Sequence, residues 1–178
     1  MRHILATALL IVSLPAWADD AVVGNGTPAS CTEAALDVAL GQLYPGANFS
    51  GGVLSFQCGG PKDIPITSPK TLTDATLVDG GGIITLDAQG LTRHFTIIGA
   101  QSQVELRGLA LQNGSVNGFG GAIRVSADTS LQLTDCILFN NAATASGGAL
   151  HVESDASVGL LRTQVRYNRA LNGGGIAS

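Results

Sequence analysis

The chain has 178 residues with 13 acidic and 9 basic side chains, so its formal net charge of −4 excludes the basic footprint that nucleic-acid binding needs. Charged residues make up 12% of the chain and aromatic residues 4%, whereas there are 24 glycines. This composition does not suit a helical bundle and favours many short strands separated by turns.

The chain begins with the pattern of an export signal. Arg2 and His3 form a short basic start, and the apolar run at 4–14 is too short to span a bilayer. The small-x-small pattern that follows predicts cleavage after Ala18. We therefore expect residues 1–18 to be a signal peptide and the mature chain to be one domain without a membrane span. Its expected location is extracellular or at the cell surface, or alternatively periplasmic.

Residues 19–60 are predicted to cap the start of the fold. Apolar residues at helical spacing predict a helix at about 32–44, and Ser30 followed by Glu33 has the spacing of a capping box. Proline and glycine then end the helical pattern. A short amphipathic helix at this place would cover the exposed first coil of the strand-rich part that follows.

Three cysteines in an exported chain suggest one disulfide and one thiol left over. Cys31 and Cys58 lie in the capping segment, and their pairing would pin the helix. The alternative is two unrelated thiols, which an oxidising compartment disfavours.

Short apolar runs bounded by prolines and glycines begin after residue 60. They predict strands at 64–66, 76–78, 83–86 and 95–98. Three consecutive glycines, 80–82, separate the second of these strands from the third. The spacing in this part of the chain is irregular.

A 27-residue repeat then dominates the sequence. Its glycine pairs are Gly120-Gly121, Gly147-Gly148 and Gly174-Gly175. Ala122, Ala149 and Ile176 follow these pairs at the same spacing. The other columns are Val104, Leu131 and Val158; Leu106, Leu133 and Leu160; Leu111, Leu138 and Val165; and Gly114, Asn141 and Asn168. Columns that share one period are the signature of a solenoid.

Within each coil the apolar residues alternate, which predicts strands with one buried face. Three short strands and three bends fit into one repeat, and each coil would pair with the next at a separation of about 4.8 Å. The sequence therefore predicts an all-β fold over residues 61–178, a single-stranded right-handed parallel β-helix with an N-terminal capping helix.

Two features of the coils follow from this arrangement. Cys136 falls in an inward column with Leu109 and Thr163, so we expect it to be buried and reduced. Asn141 and Asn168 fall at a bend, where asparagine tolerates a left-handed backbone and stacked amides can hydrogen-bond along the axis.

The last coil stops at Ser178 just after a new coil has begun. Its interior positions, such as Leu160, would then face no neighbouring coil. We expect either self-association through this open coil or a longer protein of which the chain is a truncated part.

These motifs resemble those of a known group. Gly-Gly-Ala-Ile and Gly-Gly-Ala-Leu, with asparagine at the following bend (residues 138–141 and 165–168), resemble the repeats of chlamydial polymorphic outer-membrane proteins. Residues 78–86 are similar to the N-terminal coils of pectate-lyase-like β-helix proteins, and residues 56–60 to the opening of their exported members. The resemblance implies the β-helix fold, which elsewhere hosts lyases, hydrolases, adhesins and stalks.

The carboxylates do not form a recognisable catalytic cluster. Polysaccharide-cleaving enzymes on this fold gather acidic residues on neighbouring coils. Here Asp128 and Asp155 lie in serine-containing segments that are typical of turns, and Asp79 and Asp87 are also interpreted as turn residues. We assign no catalytic residue, no metal ligand and no cofactor.

Arg124 and His151 are the best candidates for a surface site. They share an outward column on adjacent coils, roughly 5 Å apart at their bases. The alternative is that they only solvate the surface. We expect the neighbouring cation to disfavour protonation of His151.

Two kinds of function remain open. The first is a non-catalytic exported module, an adhesin or scaffold that contacts carbohydrate or a host or cell-surface protein. The second is a polysaccharide lyase or glycoside hydrolase, or the N-terminal part of one. The scattered carboxylates favour the first.

Overall fold

A computed structural model describes residues 20–44 and 51–178, and the expected signal peptide lies outside this part. The fold is an all-β parallel solenoid of about five turns, with about 27 residues per turn and one short helix near the N-terminus. This confirms the fold class expected from the repeat. Among the described residues, no helix is long and apolar enough to cross a membrane.

Sixteen strands, one α-helix and one 3-10 turn form the described part of the chain. In chain order they are β1 (Ala21–Val23), the 3-10 turn (Pro28–Ser30), α1 (Glu33–Leu43), β2 (Gly52–Phe56), β3 (Lys62–Pro65), β4 (Lys70–Leu72), β5 (Thr76–Asp87), β6 (Phe95–Ile97), β7 (Gln103–Gln112), β8 (Ser115–Val116), β9 (Ile123–Val125), β10 (Ser130–Thr134), β11 (Ile137–Phe139), β12 (Ala142–Ala143), β13 (Leu150–Val152), β14 (Ser157–Leu161), β15 (Gln164–Arg166) and β16 (Ile176–Ala177).

The strands stack into three parallel sheets. The largest has the order β1-β2-β5-β7-β10-β14, with β3 beside β5 and with β11 between β7 and β15. The second, which carries the candidate site, has the order β4-β6-β9-β13-β16, and the third contains only β8 and β12. The core is the column of apolar side chains that all three sheets enclose.

The register confirms the interior leucine column. Leu133 pairs with Leu106 on one side and with Leu160 on the other, one full repeat away in each direction. Upstream the number of residues between paired positions varies from coil to coil. Lys62, for example, pairs with Ile84, which is less than one repeat further along the chain. The predicted strands at 76–78 and 83–86 are one continuous strand, β5, whose glycines form an irregularity in the register.

The last coil is one residue shorter than expected. Ile176 pairs with Leu150 rather than with Ala149, and therefore does not continue the column of Ala122 and Ala149. Gly173, with φ of 54°, takes the left-handed position of Gly147. The pair Gly173-Gly174 thus replaces the predicted Gly174-Gly175. The residue is lost between Arg169 and Asn172. Arg169 still pairs with a residue one full repeat earlier in the chain, whereas the partner of Asn172 is one residue closer than a full repeat.

Each regular coil contains four bends and four strands, one more of each than predicted. A residue with positive φ marks each bend. The four series are Asp74, Gln101, Asp128 and Asp155; Gly108, Asp135 and Arg162; Asn113, Asn140 and Tyr167; and Gly120, Gly147 and Gly173. A single left-handed residue turns the chain between two strands without a long loop.

The glycines that follow Gly120 and Gly147 are required for a different reason. A Cβ atom at Gly121 would collide with the carbonyl oxygen of Gly148, and one at Gly148 would collide with that of Gly174. Backbone from adjacent coils approaches too closely here for any side chain.

The asparagine column forms a buried ladder. Asn141 is fully buried; its Oδ1 accepts from the Gly114 amide at 2.7 Å, and its Nδ2 donates to the Leu111 carbonyl at 3.1 Å and to Asn168 Oδ1 at 3.0 Å. The expected stacking is thus present. The expected left-handed backbone was wrong, because Asn140 adopts it instead.

Cys136 is a buried free thiol, as predicted. Its Sγ donates to the Leu106 carbonyl at 3.3 Å. Burial raises the pKa of the thiol, so it stays protonated and unreactive at neutral pH.

The helix is held on the first coil by two connections. One is a disulfide between Cys31 and Cys58, the predicted pair, with the Cα atoms 5.6 Å apart. The other is Lys70, whose side chain is 3% exposed and whose Nζ lies 2.7 Å from Glu33 and 2.6 Å from Asp37. Helix α1 packs its buried face, Leu36, Ala39, Leu40 and Leu43, against the coil.

The predicted capping box was wrong. Thr32 caps the helix by accepting from the Ala35 amide. Glu33 instead accepts hydrogen bonds from Thr67, Ser68 and Lys70. Burial opposes ionisation of Glu33, but these bonds outweigh it and lower its pKa to about 2. Tertiary partners have displaced the local motif.

The outer end of the last coil is uncovered by any described residue. Leu160 is 44% exposed and Ile176 is 40% exposed, although their counterparts in the preceding coil, Leu133 and Leu150, are buried. Self-association through this face stays a prediction.

His94 is a buried titratable group inside the solenoid. Its Nε2 lies 3.0 Å from the Leu86 carbonyl and 3.1 Å from the Gln112 carbonyl. Burial lowers its pKa to about 4, although the carbonyls and Asp87 act in the other direction. The ring is therefore neutral at pH 7.

Unfolding stability is expected to fall by about 2 kcal/mol between pH 7 and pH 5, because unfolded His94 takes up a proton below its normal pKa while the folded ring does not. The contribution of His94 to the free energy of unfolding is fully present above pH 6.5, the pKa of the unfolded side chain. It is lost as the pH falls towards the folded pKa of about 4. Urea unfolding of wild type and His94→Gln at both pH values measures it. The variant should lose most of this slope, while His151→Gln should lose only the smaller part that the lowered pKa of His151 contributes; equal slopes in wild type and His94→Gln would contradict the assignment.

Candidate functional site

Arg124 and His151 lie side by side on the second sheet. They pair in register on β9 and β13, and Thr96 on β6 occupies the same column one coil earlier. The alternation that buries Ile123 and Val125 turns Arg124 outward.

Arg124 is held by a carboxylate that the sequence did not single out. Its Nε donates to Glu153 Oε1 at 2.6 Å, and its Nη2 pairs with the same oxygen. The other carboxylate oxygen accepts from the Ala127 amide at 3.2 Å. Partial burial opposes ionisation of Glu153, but the bonds from Arg124 and Ala127 outweigh it and lower its pKa.

Phe119 places an aromatic ring against His151. The two ring centroids are 4.7 Å apart with an interplanar angle of 34°, and Phe119 is 46% exposed. Phe119 precedes the glycine pair at the bend before β9. The bend therefore presents an apolar ring beside the polar column.

Arg93 completes the group. It is half-buried, and its Nη1 is buried without a hydrogen-bond partner among the described residues. Burial, and then the charge of Arg124, lowers the pKa of its guanidinium. Its charge also acts on His151. We refer to Arg93, Phe119, Arg124, His151 and Glu153 as the Arg93 cluster.

His151 is neutral in this cluster at pH 7. Burial lowers its pKa, and although Glu153 opposes this effect, Arg124 and Arg93 lower it further. The expected effect of the neighbouring cation is therefore present, but burial is the larger cause. Its Nδ1 is buried and has no partner among residues 20–44 and 51–178.

Sequence reasoning found two of the five cluster residues. Phe95 pairs with Ile123, one residue beyond a full repeat, so Arg93 corresponds to Gly121 and falls outside the columns of the repeat. Phe119 stands just before the repeated glycines, where its neighbour in the next coil is Ser146. The only sequence signal for Phe119 as a site residue was its position as an aromatic residue beside a predicted bend.

The carboxylates that were candidates for catalysis have local partners. Asp79 Oδ1 accepts from the Gly81 amide at 2.9 Å, and Asp79 Oδ2 lies 3.8 Å from Arg107. Asp128 and Asp155 occupy left-handed bend positions, which agrees with their interpretation as turn residues. No group of three or more potential metal-binding side chains occurs in the described part.

A polar cleft of about 590 Å³ lies at another corner, beside Asp87. Asp87 accepts from the Gln89 amide at 2.8 Å, from Asn113 at 2.9 Å and from Gln112 at 3.1 Å. Asn140 then donates to Asn113 at 2.8 Å. Since the polar groups around Asp87 satisfy one another, this cleft is a weaker candidate for binding than the Arg93 cluster, although Arg169 also lines it.

The fold and the cluster define a parallel β-solenoid with a basic and aromatic patch on one face. No family model matches the chain, and no curated protein or solved structure shows significant similarity to it. Function must therefore be argued from the residues themselves.

Proposed function

We propose that this chain is a non-catalytic exported β-helix module, an adhesin or scaffold whose Arg93 cluster contacts carbohydrate. The observation that carries the proposal is the exposed ring of Phe119 against the neutral ring of His151, with two guanidinium groups nearby. A sugar ring has an apolar C–H face and polar edges. An exposed aromatic ring flanked by hydrogen-bond donors complements both.

The solenoid supports this role because it fixes the spacing of the side chains. Arg124 and His151 are held on paired strands, whose separation is about 4.8 Å. Phe119 is held by a bend that also bridges to the next coil through Ser146. A site on rigid strands loses little freedom when it binds a ligand.

Export and family resemblance add to the proposal. The signal-like start favours a protein that acts at the cell surface, in the medium or in the periplasm. The Gly-Gly-Ala repeats resemble those of chlamydial polymorphic outer-membrane proteins, and the N-terminal coils resemble pectate-lyase-like proteins. Both resemblances are compatible with contact to a surface polysaccharide.

The ionised state of Asp87 argues against its acting as the general acid of hydrolysis. Glycoside hydrolysis needs a protonated carboxyl as general acid. Burial opposes ionisation of Asp87, but hydrogen bonds from Asn113, Gln89 and Gln112 outweigh it and lower its pKa, so Asp87 stays ionised.

Phe119→Ala is expected to weaken binding to an immobilised oligosaccharide panel by about tenfold, because it removes the apolar platform. Phe139→Ala is the matched control, since Phe139 packs 5.5 Å from Tyr167 on another face. Its affinity should equal that of wild type. Equal loss in both variants, or no binding by wild type, would contradict the proposal; binding only to deglycosylated surface proteins would assign the face to a protein partner instead.

A further inference from the structure

The charges of the Arg93 cluster do not cancel. Arg124 is neutralised by Glu153, with Nε and Oε1 2.6 Å apart. His151 is neutral at pH 7 because its pKa is lowered, first by burial. Arg93 has no ion-pair partner within the described ranges, so two cations and one anion leave one positive charge.

The unpaired charge includes a donor that is already withdrawn from water. Nη1 of Arg93 is buried and has no acceptor among the described residues. Buried polar groups are nearly always hydrogen-bonded, and leaving one unpaired is destabilising. Nη1 itself is covered by protein, so an external acceptor would meet the exposed part of the half-buried Arg93.

We infer that the Arg93 cluster recognises an acidic sugar, whose anionic group binds Arg93 while its ring packs on Phe119. This inference rests on the proposed function and adds the class of ligand to it. The net charge of the cluster matches a single anionic group. A carboxylate or a sulfate on the sugar supplies the oxygen acceptors that a guanidinium binds best.

The other cluster residues complement the rest of such a ligand. Phe119 is 46% exposed and stacks on His151, whose pKa is lowered mainly by burial and, to a lesser extent, by the charges of Arg124 and Arg93. A free inorganic anion would make no use of the aromatic ring.

Calorimetric titration with matched neutral, carboxylated and sulfated trisaccharides of glucose and galactose tests the inference. Wild type should bind an acidic trisaccharide about tenfold more tightly than its neutral counterpart, the gain expected from one charge-assisted hydrogen bond. Arg93→Gln should abolish this difference by bringing the affinity for the acidic trisaccharide down to that for its neutral counterpart. Arg93→Lys keeps the charge but loses the planar fork, so it should retain only part of the preference.

Thermal unfolding of the ligand-free variants provides a second readout. Arg93→Gln should unfold at the same temperature as wild type or higher, because it removes a buried nitrogen that has no partner in the described chain. A lower unfolding temperature would mean that Arg93 has a structural role instead, which would overturn the inference.

The outcomes separate this inference from the function on which it rests. Equal affinity for neutral and acidic trisaccharides, with loss of both in Phe119→Ala, would overturn the acidic preference and leave carbohydrate binding intact. No binding of any trisaccharide would overturn the proposed function itself. Sodium acetate or sodium sulfate bound as tightly as the acidic sugars would show a site for free anions and would also overturn the inference.

Discussion

Asn141→Leu is expected to lower the free energy of unfolding by about 4 kcal/mol, because two buried backbone groups lose their partner. The Gly114 amide, 2.7 Å from Asn141 Oδ1, and the Leu111 carbonyl, 3.1 Å from Nδ2, would both be left unsatisfied. Leucine has the same branched skeleton but larger methyl groups, so the expected loss includes a packing contribution as well as the lost hydrogen bonds. Urea unfolding at pH 7 measures the loss.

Asn172→Ala is the matched control for this substitution. Asn172 is exposed, and only its backbone takes part in hydrogen bonds to the neighbouring coil. Its loss should stay within about 0.5 kcal/mol. Similar stabilities for wild type and Asn141→Leu would show that the amide ladder does not hold the coils together.

Removal of the disulfide by Cys31→Ala with Cys58→Ala is expected to cost about 3.5 kcal/mol at 25 °C, the loop-closure entropy of a 27-residue loop. The bond joins the start of the helix to the segment after β2, so its loss frees the capping segment in the unfolded state. Denaturant unfolding in oxidising buffer measures the difference.

Reductant supplies the control for the disulfide. It should lower the stability of wild type to that of the double variant and leave the variant unchanged, because Cys136 is buried and free in both. A wild type that is insensitive to full reduction would contradict the stabilising role of the bond.

The sequence was most informative where neighbouring coils have the same length. Leu106, Leu133 and Leu160 could be placed in one interior column because one full repeat separates each from the next. Arg124 and His151 could be placed side by side for the same reason. A repeat predicts contacts only as long as no residue is inserted or lost.

Predictions failed where the number of residues per coil changes, or where a contact with a residue far along the chain determines the local structure. One residue fewer before Asn172 shifts Ile176 from the alanine column to Leu150. Glu33 and Ser30 have the spacing of a capping box, but Lys70, far along the chain, offers Glu33 a stronger partner at 2.7 Å. Short-range motifs cannot include such partners.

The same reasons explain the part of the site that was missed. Arg93 belongs to an upstream coil that pairs with the next coil at a spacing one residue longer than the repeat. The regular repeat therefore does not place Arg93 near Arg124 and His151. Glu153 becomes significant only when its contact with Arg124 is known. Buried nitrogens without partners are visible only in three dimensions.

An amide chemical-shift titration with an acidic trisaccharide tests the central claim, binding without turnover at the Arg93 cluster, most directly. The largest shifts should map to Arg93, Phe119, Arg124 and His151, and the anomeric signals of the sugar should stay unchanged through prolonged incubation. Shifts centred on Asp79 and Asp87, or new signals from shortened or unsaturated sugar, would contradict it.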